Sequence, residues 1–307
     1  LSVVQTGPAG LINLYYCDKR ANHFFWFAFF FRAPPTWGRR QIVHISLNDE
    51  GLIKIYMETT LGVIILAAGL GKRMKSEKAK VLHEIDGKPM ILHVIETASE
   101  IVGDDIIVVI GHQANEVKKT VSQSCSPIYV VQKEQLGTGH AVLTALPFIP
   151  DHVEKIVILY GDVPLLSVAS LKELLSFHQK NQCDISTLAA RVSDPKGYGR
   201  ILFGKNGRVR KIVEEADATS KEKEIDLVNT GIYCVERRFL MDAAPKLKPE
   251  NAQKEYYLTD IIEIAHTGNY MSQAFVTENI QETAGINSRE ELLAAEASLK
   301  KRRAEIS

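Results

Sequence analysis

Cysteine is scarce and scattered in this sequence. Its 307 residues contain four, Cys17, Cys125, Cys183 and Cys234, and no two lie within fifty positions of each other. That spacing supplies no CxxC pair, no zinc-ligand pattern and no disulfide framework, so four reduced, mostly buried thiols are expected. An excess of charge of either sign is also missing: 37 Lys and Arg balance 37 Asp and Glu. A neutral chain has no general electrostatic pull toward nucleic acid or an acidic membrane. The apolar run Phe24–Phe31 is eight residues long, far short of the ~20 that span a bilayer. No internal repeat is found, and in particular no run of hexapeptides that would build a left-handed β-helix. Hydrophobic residues make up 45% and charged residues 24%, which is ordinary for a globular protein and excludes disorder, collagen and a membrane channel.

The composition changes along the chain. Both tryptophans, Trp26 and Trp37, and six of the eleven phenylalanines fall within residues 1–56, with six Lys and Arg against three Asp and Glu. No helical or strand period is sustained there. A signal peptide is the functional reading of Lys19, Arg20 and the aromatic run. The charges sit late, however, and no small-residue cleavage site follows. The preferred expectation is a poorly patterned extension outside the fold, a start site assigned too early, with the working protein beginning near Met57. Residues 57–288 are then one domain, and 289–307 a charged terminal helix.

From Met57 onward strands and helices alternate. Gly62–Ala68 is a continuous apolar run and reads, like Asp105–Ile110, as a buried strand; Ile128–Val131, Lys155–Tyr160 and Ile185–Ala190 read as further strands. Between them Met90, Ile91, Val94, Ile95, Ala98 and Ile101 recur at helical spacing, and shorter helices are expected at Val117–Val121, Gly139–Leu146 and Leu171–Phe177. This rhythm implies an α/β fold with a mixed, mostly parallel sheet and helices on both faces. After Arg191 the pattern becomes a hairpin, Gly199–Phe203 and Arg208–Glu214 around Gly204–Gly207. A charged loop at 216–224, a strand at Leu227–Val235 and helices near Phe239–Ala244 and Leu258–Ala265 follow.

Four groups of residues carry candidate chemistry. The first strand runs into Leu66-Ala67-Ala68-Gly69-Leu70-Gly71-Lys72-Arg73-Met74. Small residues let a ligand approach the backbone, and two glycines allow a turn that aims N–H groups at phosphate or a base edge. Arg73 can clamp phosphate oxygens, and Lys80 is a second cation seven residues on. Met74 replaces the third glycine of a dinucleotide fingerprint, and no Walker sequence is present; an ordinary strand–helix turn is the competing reading. Gln132 and the turn Gly137-Thr138 form the second group: an amide reads a base edge with both donor and acceptor, and His140 beside it is expected to be a packed histidine. The third group is Tyr160-Gly161-Asp162. A carboxylate at the tip of a buried strand suits Mg²⁺, a hard cation that keeps few protein ligands beside phosphates; a turn-capping Asp is the alternative. The fourth comprises Gly199, Glu214 and Asn229, suited to sugar hydroxyls, and Asn287, an oxygen donor before the last helix. Thr259 and Asp260 are expected to cap a helix.

Taken in order, LAAGLGKRM, KVLH, QLGTGHA, YGDVPLL, GYGRI, NTGIY, EYYLTDI and GIN resemble the uridylyltransferase domain of the bacterial GlmU family, a Rossmann-like, GT-A-like nucleotidyltransferase fold. The resemblance covers Gly62 to the terminal helix. It implies transfer of a uridylyl group from UTP to N-acetylglucosamine 1-phosphate with release of pyrophosphate, in the cytoplasm, without nucleic acid or membrane partners. It further implies that Leu66, Ala67, Ala68 and Gly69 lie along the nucleotide and that Gln132, Gly137 and Thr138 read the uracil. Arg73 and Lys80 hold phosphates. Tyr160, Gly161 and Asp162 contact substrate, Asp162 and Asn287 ligate Mg²⁺, and Gly199, Glu214 and Asn229 meet the amino sugar. The family's β-helix, which acetylates and trimerises, has no counterpart here, so acetyl transfer is not expected and the oligomeric state is not legible. Rival readings are another sugar phosphate or base on the same fold, or a non-catalytic sugar-nucleotide sensor. The sensor is expected to lack Asp162, Arg73 or Lys80, and all three are present.

Overall fold

The computed structural model describes residues 60–306, apart from the side chains of Lys72 and of residues 302–306; of residues 1–59 it describes only the backbone of six short strands. Two compact units result, Leu1–Thr60 and Leu61–Ser307. In the first, Gln5–Thr6 pairs with Ile12–Asn13, Tyr16–Asp18 with His23–Phe25, and Val43–Leu47 with Ile53–Met57, all antiparallel. The aromatic run and the signal-peptide reading otherwise fall outside the described residues.

The second unit is built on nine strands. In chain order its main elements are β1 (Leu61–Ala67), α1 (Met90–Val102), β2 (Ile106–Ile110), α2 (Ala114–Val121), β3 (Ile128–Val131), α3 (Thr138–Ala145), β4 (Lys155–Tyr160), α4 (Val168–Lys180) and β5 (Ile185–Arg191). There follow β6 (Gly199–Phe203), β7 (Val209–Val213), α5 (Ser220–Lys223), β8 (Leu227–Glu236), α6 (Arg237–Ala243), α7 (Asp260–Thr267), β9 (Ser272–Thr277) and α8 (Arg289–Ile306). The sheet order is β3-β2-β1-β4-β8-β5-β9, with the β6–β7 hairpin attached to β8. All neighbours in the main path are parallel except β8, which is antiparallel to β4 and β5. The sheet is therefore mixed and mostly parallel, as the alternation implied.

Strand periodicity sorts the apolar residues onto two cores. Ile64 and Leu66 of β1, with Ile156 and Ile158 of β4, face a core closed by α3, α6 and α7. Val63, Ile65 and Ala67, with Val157 and Leu159, face one closed by α1, α2 and α4. Helices on both faces explain why these strands read as unbroken apolar runs. A smaller cluster joins Ile85, Met90 and Leu165 to Ile286 and Ala295 of α8, and it anchors the segment that carries Asn287.

Three expectations need correction. The charged loop at 216–224 contains α5, whose Thr219 and Glu222 form a capping box. Strand β9 was not anticipated. Thr259 precedes α7 but makes no cap, because its hydroxyl donates to Glu214 Oε1 instead, at 2.9 Å. Cys183 and Cys234 are buried and Cys125 half-buried, all free, while the Cys17 side chain lies outside the described residues. Among the described residues no helix is long and apolar enough to cross a membrane.

Candidate active site

Strand order reverses at β1: its next strand, β2, lies on one side and β4 on the other. In open α/β sheets the crevice beyond the strand tips at such a point is the natural place for a ligand. Leu66 pairs with Tyr160 in the β1–β4 ladder, so the two chains leave the sheet side by side. A cavity of about 450 Å³ opens there, lined by Leu66, Ala67, Ala68 and Gly69 after β1, by Gln132, Gly137 and Thr138 before α3, and by Tyr160 and Asp162 after β4. A second cavity, of about 600 Å³, is lined by Gly199, Glu214 and Asn229. Arg73, Tyr160, Asp162 and Asn287 line both.

Charge concentrates where the cavities meet. Lys80 Nζ ion-pairs with Asp162 Oδ2 and donates to Asn287 Oδ1 at 2.5 Å. Arg73 Nη2 donates to the same amide oxygen at 2.8 Å. Asn287 arrives from far along the chain because Ile286 is buried and its N–H donates to the Asp162 carbonyl at 2.9 Å. One ammonium thus touches both the Asp162 carboxylate and the Asn287 amide oxygen. Two hard oxygen donors within the span of a single cation fit Mg²⁺, which takes few protein ligands and completes its shell from phosphate and water.

The glycine loop is shaped by close packing. Gly71 has φ +63°, and a Cβ on it would lie 2.6 Å from Lys80 Cβ, so the turn and the base of the Lys80 side chain pack with no room for another side chain. Gln113 ties down the intervening segment: its Oε1 accepts from Ala79 N–H at 2.7 Å and its Nε2 donates to Glu77 O at 2.6 Å.

The turn before α3 is locked to a distant segment. Tyr256 N–H donates to Leu136 O and Gly139 N–H to Tyr256 O, each at 2.7 Å. Gly137, at φ +110°, lies so close that a Cβ would meet Tyr256 O at 2.6 Å. Thr138 Oγ1 accepts from Leu258 N–H at 3.1 Å. Gln132 is buried; its Nε2 donates to Gly137 O at 3.1 Å and meets His140 Nδ1 at 2.9 Å. These contacts occupy the amide nitrogen, and His140 packs there as expected.

On the second cavity, β6–β8 pairing sets Gly199 opposite Asn229. Asn229 is largely engaged within the fold: Oδ1 accepts from Thr187 Oγ1 at 2.7 Å and Nδ2 donates to Tyr233 Oη at 2.8 Å. Burial raises the Glu214 carboxyl above its ordinary pKa, with the Thr259 hydroxyl working against the shift. Burial likewise raises the Tyr160 phenol, and the Glu214 charge adds to it.

Most of the candidate residues come together, with one difference. Gly161 lines neither cavity; its N–H donates to Leu66 O at 2.9 Å, and a Cβ on it would crowd Val81 and Ala67. Residues that the quoted motifs contain but to which no role was assigned also line the site, Gln135 and Glu255 in the first cavity and Tyr198 and Thr230 in the second, together with Lys196 from outside those motifs. Lys196 stands three positions before candidate Gly199 in sequence, which was the available signal.

Comparison with known proteins shows what this chain is similar to. A profile described as the MobA-like NTP transferase domain matches residues 63–227. The bifunctional protein GlmU of Desulfotalea psychrophila is 44% identical over 246 residues, 80% of this chain and 72% of that protein. GlmU of Shouchella clausii is 44% identical and GlmU of Bacillus subtilis 41%, each over 78% of this chain but 52% of its own length. The chain thus spans about half of these last two relatives. Among solved structures, a UDP-glucose pyrophosphorylase complexed with UDP-glucose superposes with TM-score 0.61 at 21% identity, over 78% of this chain and 98% of that one. HddC from Yersinia pseudotuberculosis superposes with TM-score 0.58 at 21% identity, over 78% and 99%. At that identity the two structures speak to the fold alone.

Proposed function

Since the chain belongs to the MobA-like NTP transferase family and to the GlmU proteins within it, we propose that it makes UDP-N-acetylglucosamine and pyrophosphate from UTP and N-acetylglucosamine 1-phosphate, in the cytoplasm. The observation that carries this reading is the meeting of two cavities at Arg73, Asp162 and Asn287. One cavity has the backbone-rich lining suited to a nucleotide, the other the polar lining suited to a sugar.

The sugar phosphate is already anionic, so its oxygen needs no activating base. The work is alignment and charge dispersal. A phosphate oxygen of the sugar attacks the α-phosphorus in line. A new P–O bond forms, the bond from the α-phosphorus to the bridging oxygen breaks, and pyrophosphate leaves with that electron pair. Arg73 and Lys80 hold the phosphate oxygens on which charge gathers. Gln132, Gly137 and Thr138 present the base-reading wall. Gly199, Glu214 and Asn229 orient the amino sugar. Asp162 and Asn287 hold Mg²⁺, which when bound neutralises phosphate charge as a Lewis acid.

The test is pyrophosphate release by the full chain with Mg²⁺, UTP and N-acetylglucosamine 1-phosphate, beside glucose 1-phosphate and dTTP. Release with the first pair alone supports the reading. Release only with another pair moves the assignment to a different sugar nucleotide, and binding of UDP-N-acetylglucosamine without any release moves it to a sensor.

A further inference from the structure

Arg200 is 1% exposed, an enclosed charge that lines neither cavity. Its Nη2 ion-pairs with Glu215 Oε2 at 2.7 Å and donates to Lys223 O at 3.4 Å; its Nη1 donates to Tyr198 O. Its Nε is buried with no hydrogen-bond partner among the described residues. A guanidinium withdrawn from water and incompletely matched is a poor stabiliser, because desolvation is offset only when every group is satisfied. Its effect here is geometric. Glu215 Oε2 also accepts from Gly197 N–H at 3.1 Å. The pair therefore grips the Gly197–Gly199 turn from two sides, at the Tyr198 carbonyl and the Gly197 amide. Gly197, Tyr198 and Gly199 all line the second cavity, and Glu215 directly follows Glu214, which lines it too.

We propose that Arg200 and Glu215 are a positioning pair for the sugar 1-phosphate, fixing the 197–199 turn and the Glu214 carboxyl without touching the substrate. This rests on the uridylyl-transfer reading above. Lysine cannot replace Arg200, because a point ammonium does not span two carbonyls and a carboxylate as the planar fork does.

The experiment is steady-state kinetics and thermal melting of the full chain carrying Glu215→Gln, Arg200→Lys or both. Glu215→Gln keeps an acceptor for Gly197 N–H at a partly exposed position and so folds. Its KM for N-acetylglucosamine 1-phosphate is expected to rise ~10-fold, with KM for UTP within ~2-fold and Tm nearly unchanged. The double variant is expected to be no worse than Arg200→Lys alone, the non-additivity of groups acting as one. An unchanged sugar KM in Glu215→Gln, or parallel rises in both KM values, overturns the inference. If the wild type releases no pyrophosphate with this pair, the uridylyl-transfer reading falls and takes the inference with it. Wild-type activity with insensitive variants removes the inference alone.

Discussion

Asp162 serves the site through two different atoms. Its carboxylate pairs with Lys80, while its main-chain carbonyl accepts from Ile286 N–H and so brings Asn287 alongside. Only the first depends on the side chain. Asp162→Asn should therefore keep its fold and its melting temperature while pyrophosphate release falls by on the order of 10²-fold, the usual loss when one electrostatic partner of a reacting phosphate is removed. Activity near wild type at low Mg²⁺ would remove Asp162 from the metal site. Its place was legible because an apolar run ending in a carboxylate marks a strand tip. Arg200 was not: its meaning lies in a partner fifteen residues away, across a hairpin, and no local pattern announces that pair.

Among the elements, the glycine segments separate two uses of one residue type. Gly69 has nothing within 4 Å of a built Cβ, yet it lines the first cavity. Gly69→Ala should leave stability unchanged and raise KM for UTP, because the added methyl intrudes only on ligand space. A Cβ on Gly137 would strike Tyr256 backbone atoms at φ +110°, and neither partner can swing aside. Gly137→Ala should cost at least about 2 kcal/mol in urea unfolding; a smaller loss would show that the turn is not locked as described. The same logic explains which elements could be read in advance. β3 and β4 matched their expected spans residue for residue: β4 is apolar from Ile156 to Leu159 because both its faces are covered, whereas β3 is an edge strand that stays apolar with Ile128 and Val131 exposed. β9 escaped because Ser272–Thr277 mixes polar and apolar side chains at a sheet edge. The capping box of α5 was written in Thr219 and Glu222, but four helical residues make no period.

For the molecule as a whole, burial raises the Asp260 carboxyl from 3.8 to about 6, with Lys211 opposing and Glu263 and Asp217 adding to the shift. Between those values the folded chain holds more protons than the unfolded one, so this group takes stability away as pH rises through the window. The melting temperature of Asp260→Asn relative to wild type should climb from pH 4 to pH 7; a flat difference would contradict it. The antiparallel β8, inserted between β4 and β5, could not be read from composition, because direction is a property of connections rather than of residues. Asn287, finally, reaches Asp162 from 125 positions downstream. A chain emerging from the ribosome can order its first strands early. It cannot gather Arg73, Lys80 and Asp162 around that last amide until residue 287 is free. With the role proposed for Asn287, chains terminated before it should be silent, and a fragment competent in nucleotide transfer should be one translated through to the start of α8.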